Sequence, residues 1–92
     1  MEKASRNTVY IGKRPMMDYV LAVVSQLHAG TGDVIIKARG KSISRAVDVA
    51  EIVRNRYVTD ATVREIRIAT ETLQGEEGRV ANVSSIEIFL TQ

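Results

Sequence analysis

Twice in its first 57 residues the chain runs a β-branched stretch into a glycine and then into apolar residues at helical spacing. This repetition limits the fold more than any other feature. The first unit opens with Thr8-Val9-Tyr10-Ile11, a strand by its β-branched and aromatic content, and Gly12 ends it. Pro15 suits the first turn of a helix, where its missing N–H costs nothing. Met16, Tyr19, Val20, Val23 and Leu27 then form one helical stripe, and Gly30 and Gly32 close it. The second unit repeats the plan with a strand over residues 34–39 and a stop at Gly40. Ser42 or Ser44 is placed to cap the helix that follows. Ile43, Ala46, Val47, Ala50, Val53 and Tyr57 define its apolar face, opposite Arg45, Asp48, Glu51, Arg54, Asn55 and Arg56. Two such units favour parallel strands joined by right-handed crossovers.

The last third changes period. Alternation over residues 62–73 puts Arg64, Ile66, Ile68 and Thr70 on one side and Glu65, Arg67, Ala69 and Glu71 on the other. Gln74-Gly75-Glu76-Glu77-Gly78-Arg79 reads as a turn, and residues 80–91 as the returning strand. The expected order is β-α-β-α-β-β, an α+β fold with a four-stranded mixed sheet and two helices. Residues 1–92 read as one domain, with a short mobile tail at 1–6 and a hairpin tip at 74–79.

Charge is uneven along this frame. The net value is only +2. Residues 1–57 carry ten Lys/Arg and five Asp/Glu, a net of +5, while residues 58–92 carry three and six, a net of −3. Much of the positive charge sits at the two strand-to-helix turns. In Gly12-Lys13-Arg14-Pro15, two cations stand beside a helix N-terminus, where free N–H groups and the helix dipole favour an anion. Cations are mildly unfavourable there without a ligand, so the placement points to a phosphate. In the second unit Lys37 and Arg39 share a strand face, and Lys41 and Arg45 follow across the turn. Parallel neighbours bring such turns to one sheet edge. Lys13, Arg14, Arg39, Lys41 and Arg45 are therefore expected to converge into a basic patch suited to a nucleic-acid backbone.

Other chemistries find little support. There is no cysteine, which excludes disulfides, thiolate metal sites and thiol nucleophiles. His28 is the only histidine, and a surface or capping role suits it. Ser25, Ser42, Ser44, Ser84 and Ser85 have no recognisable base beside them. No P-loop, dinucleotide fingerprint or paired-carboxylate signature is present. The expectation is a protein without catalytic activity or cofactor. The longest apolar stretch, residues 20–24, is too short to span a bilayer. The polar start, residues 1–8, is unlike a secretory signal. An intracellular compartment is the expected location.

Several segments taken together resemble the Alba family of small archaeal chromatin proteins. They are residues 9–20, beginning Val9-Tyr10-Ile11-Gly12-Lys13-Arg14-Pro15, residues 36–48, residues 51–56 and Ser85-Ile86-Glu87-Ile88. They span most of the chain in the family's order. The resemblance implies the fold of the C-terminal domain of bacterial translation initiation factor three, and a homodimer. It implies binding of double-stranded DNA, and of RNA, with little sequence preference, on the chromosome in the cytoplasm. An RNA-binding role, as in a subunit of an RNA-processing particle, is the alternative. Lys13 matches the centre of the family's binding surface and the position of its regulatory acetylation. Arg14, Arg39, Lys41 and Arg45 match the basic residues around it. The hairpin arms of a dimer would carry Arg79 to the nucleic acid, and Tyr57 matches an aromatic used between dimers. The tip departs from the pattern. Glu76 and Glu77 replace the usual cations there, so the Lys13 surface is expected to carry a larger share of affinity.

Overall fold

Both sequence repeats become a strand followed by a helix. In the computed structural model, which describes residues 7–30 and 32–92, β1 is Thr8–Tyr10, α1 Met16–Ala29, β2 Val34–Arg39 and α2 Ile43–Ile52. Two long strands follow, β3 at Thr62–Gln74 and β4 at Val80–Thr91. The tail expected at residues 1–6 lies outside the described residues. The sheet order is β1-β2-β4-β3, with β1 and β2 parallel and both other pairings antiparallel. The expected α+β class and element order therefore hold.

Alternation along β2 sends Val34, Ile36 and Ala38 inward. Their β4 partners Leu90, Ile88 and Ile86 point the same way. Tyr19, Val20, Val23 and Leu27 of α1 cover them together with Ala46, Val49 and Ala50 of α2. Val20, Val23, Val34, Ile36, Val49, Val53 and Leu90 are fully buried. Each such aliphatic side chain contributes roughly 1.5–3 kcal/mol by leaving water. Both helices thus lie on one face of the sheet, and the other face carries Tyr10, Lys37, Glu87 and Arg67.

Four local expectations change. Ser42 stands at the start of α2, but a 3₁₀ turn at Gly40–Ser42 leads in, and neither serine side chain caps the helix. Val47 is 43% exposed, whereas Val49 is fully buried, because the inward stripe of α2 is centred on Ala46, Val49, Ala50 and Val53. Tyr57 is exposed as well: a π-helical turn over Val53–Tyr57, closed by Val58 N–H on the Val53 carbonyl, ends the helix. In β3, Val63 and Glu65 pair with the consecutive residues Leu90 and Phe89, so Arg64 is an extra residue in a bulge. Its guanidinium swings over the Phe89 ring at 5.4 Å, beside that of Arg67 at 4.9 Å. Arg64 therefore joins Glu65 and Arg67, not Ile66 and Ile68.

From Val80 to Ser84, β4 pairs with β3 alone. This part of the hairpin is a two-stranded arm that runs past the body, and it accounts for the 46 Å long axis against 26 and 22 Å for the others. The tip is a 3₁₀ turn at Glu76–Gly78, tied by Gly75 N–H to the Arg79 carbonyl at 2.7 Å.

Candidate nucleic-acid interface

Parallel pairing of β1 with β2 puts the Gly12 and Gly40 turns at the same edge of the sheet. Gly40 has a φ of 60°, a left-handed conformation that lets β2 turn directly into its 3₁₀ turn. Ile11 N–H still bonds the Lys37 carbonyl at 2.9 Å, so β1 is held to β2 up to the turn itself.

The first turn is tied from beneath by two side chains. The Tyr19 hydroxyl accepts the N–H of Gly12 at 2.9 Å and that of Arg14 at 3.0 Å. A Cβ at position 12 would lie 3.3 Å from this oxygen, a tight approach that a side chain could make only by pushing the hydroxyl back by a few tenths of an ångström. From α2, Arg45 Nη1 donates to the Gly12 carbonyl and Nη2 to the Arg14 carbonyl at 2.8 Å. The Arg45 guanidinium also stands 5.7 Å from the centre of the Tyr19 ring. Lys13 is at the apex of this turn, exposed, with no ion pair among the described residues. Arg14 is exposed too and approaches Asp18 only at 4.0 Å. Lys41, on the neighbouring turn, is likewise exposed and unpaired among the described residues.

Lys13, Arg14 and Arg45 are thus brought together, with Lys41 at the same sheet edge. Arg39 stands slightly apart. It turns to the helix-free face and pairs with Glu71 at 3.1 Å. Lys37 does the same with Glu87 at 3.0 Å, and this hydrogen bond raises the lysine's pKa above its ordinary value. These cations line a groove of about 500 Å³ with Tyr10, Arg67 and Ser85, where carboxylates offset the positive charge. Arg79 is not part of the patch within this chain. It lies six residues beyond Ser85, the partner of Arg39, or about 20 Å along the strand. Tyr57, 45% exposed, follows a second groove lined by Met16, Asp48, Ile52 and Arg56.

The sequence alone pointed to neither Tyr19 nor Glu71. Tyr19 reads as one more member of the apolar stripe. The available signal is its hydroxyl, since a buried tyrosine needs a partner for its oxygen. Glu71 is 32 residues from Arg39 and meets it only through strand pairing.

The family model described as Alba matches residues 7–70, well over half of the chain. The chain belongs to the Alba family. Among its relatives is the DNA/RNA-binding protein Alba of Thermoplasma volcanium, 57% identical over 89 residues that cover 97% of this chain and 99% of that one. DNA/RNA-binding protein Alba 1 of Archaeoglobus fulgidus is 53% identical over 88 residues, 96% of this chain and 98% of its own. The solved structure of Alba from Thermoplasma volcanium superposes with a TM-score of 0.87 at 58% identity, covering 94% of this chain and all of that one. This Alba chain is therefore matched along nearly its whole length, hairpin arm included. Among the described residues, no helix of this Alba protein is long and apolar enough to cross a membrane.

Proposed function

We propose that this chain binds double-stranded DNA without sequence preference, and RNA by the same surface, as a single non-enzymatic nucleic-acid-binding unit. The observation that carries the reading is the Lys13 turn. An exposed ammonium stands at the apex of a turn held by Tyr19 and Arg45, at a helix N-terminus, with Arg14 beside it and Lys41 on the next turn. Such an arrangement suits phosphate oxygens and reads no base edge. Relatives named DNA/RNA-binding protein support it.

The active form in this reading is a homodimer. Ile66 is 55% and Ile68 79% exposed on β3, opposite Ile88 and Ile86 and on the same side of the sheet as the core. Ile43, Ile68 and Ile86 line a shallow groove there. A second copy covering this strip doubles the basic surface and lets one molecule coat or bridge duplexes. Arg79 then reaches nucleic acid from the arm, and Tyr57 meets a neighbouring dimer along the duplex. The protein compacts chromosomal DNA in the cytoplasm of its cell. Acetylation of Lys13 removes one charge and its donors and so loosens binding. RNA binding within an RNA-processing particle is the second reading, which the same backbone-reading surface serves.

The test is a salt-titrated binding curve for duplex DNA and for structured RNA. Roughly five phosphates neutralised per dimer give a slope of log affinity against log salt near −4 to −5 for the duplex. Lys13→Ala and Lys13→Gln are expected to weaken binding several-fold and make the slope shallower, whereas Arg64→Ala, at the far end of the sheet, leaves both unchanged. A flat salt response sinks the proposal. Equal effects of Lys13→Ala and Arg64→Ala sink the placement of the surface.

A further inference from the structure

Arg45 carries a charge at the basic edge, yet its bonds point inward. Its two terminal nitrogens donate to the carbonyls of Gly12 and Arg14, the residues on either side of Lys13. The N–H groups of the same two residues are held by the Tyr19 hydroxyl. Four backbone groups flanking Lys13 are thus fixed by two buried or half-buried side chains, and the Arg45 guanidinium rests on the Tyr19 ring. Lys13, between the two held residues, keeps its side chain exposed.

We propose that Arg45 is a positioning residue, which fixes the direction in which Lys13 is presented, and that this role outweighs any direct phosphate contact of its own. The inference rests on the nucleic-acid reading of the same edge. A planar fork is what the geometry requires, because two carbonyls are reached from two different nitrogens. A lysine at position 45 has the same charge but a single compact donor group on a flexible stem. It cannot hold both carbonyls in the same way. Without the clamp the turn must be ordered when phosphate binds, and that entropy is subtracted from affinity. With it, the cost is met during folding. Charge and fork can therefore be separated by experiment.

Arg45→Lys, Arg45→Met, Lys13→Ala and the double variant Lys13→Ala/Arg45→Lys are compared in salt-titrated binding to one defined duplex DNA. Arg45→Lys is expected to lose about as much affinity as Arg45→Met, about fivefold, the order of one exposed charge contact. In the Lys13→Ala background the same Arg45→Lys change should cost less than about twofold, because residues acting as a unit are not additive. Amide exchange at Lys13 and Arg14 should quicken in Arg45→Lys while core amides of α1 keep their protection. Tyr19→Phe removes the other half of the clamp. It should reproduce the affinity loss and its dependence on Lys13, which keeps the test decisive if Arg45→Met does not fold. The proposal is overturned if Arg45→Lys binds like wild type, or if the Arg45 and Lys13 losses multiply in the double variant. Wild-type binding that ignores salt would instead remove the nucleic-acid reading itself.

Discussion

Tyr19 differs from the other members of the α1 stripe by one oxygen, and that oxygen organises the site. It accepts two backbone N–H groups from the turn that carries Lys13, while its ring fills the core at 7% exposure. Tyr19→Phe leaves these two donors without their partner. The expected loss is about 1–3 kcal/mol in chemical denaturation, with helix content unchanged by circular dichroism. Glu71 acts in the opposite sense on affinity. Its carboxylate holds Arg39 at 3.1 Å, and both side chains are partly exposed, so the pair contributes little to stability. A phosphate reaching Arg39 must displace it. Glu71→Gln should therefore raise duplex affinity about threefold, the scale of one exposed ion pair, in the same binding assay. No gain would mean that Arg39 takes no part in binding.

Among the elements, β3 and its hairpin hold two departures from simple patterning, a bulge and a left-handed residue at the tip. The bulge at Arg64 gathers Arg64, Glu65 and Arg67 on the helix-free face, over Phe89. Arg67 donates to Glu65 at 2.7 Å, and this bond, aided by the charges of Arg67 and Arg64, holds the Glu65 carboxyl below its usual range. A depressed carboxyl adds stability above its unfolded pKa and loses it as pH falls through the folded one. The stability gap between wild type and Glu65→Gln should be open at neutral pH and close as the pH falls below about 4, the ordinary carboxylate range. Thermal melts across that interval check it. At the tip, Glu77 adopts a φ of 60°, which a side chain disfavours. Glu76 and Glu77 there also oppose phosphate. Glu76→Lys/Glu77→Lys should tighten duplex binding and steepen its salt slope by about 0.9 per phosphate gained, provided that the arm lies against the duplex. An unchanged slope would place the tip away from the nucleic acid.

For the whole molecule, β3 is the edge strand on which the proposed homodimer rests. The single chain shows Ile66 and Ile68 to solvent along an elongated edge strand, an arrangement that proteins usually cover. In the proposed homodimer, Ile68→Glu should shift the protein to monomer in light scattering behind size exclusion. It should also weaken duplex binding more than the loss of one charge contact does, because half of the basic surface is lost with the partner. A dimer that survives this change, and Ile66→Glu with it, would place the subunit contact elsewhere.

Sequence alone determined the element order, both parallel units and the location of the basic turns, because local signals carry them. Glycine and proline mark the turns, and a period near 3.6 or 2 marks each helix and strand. It also placed Lys13 and Arg14 in the first turn and Lys41 in the second. What it could not determine was which cations remain available. Arg45 and Arg39 look alike as charges at a turn, yet one clamps backbone carbonyls 31 to 33 residues away and the other is held by a carboxylate 32 residues away. Such partners meet only when α2 crosses the first turn and β4 aligns β2 with β3. A one-residue bulge likewise redirected Arg64, since side chains alternate and one extra residue reverses the face. The exposure of Lys13 at the apex of its turn was decided by these tertiary contacts, through two side chains that hold everything around it.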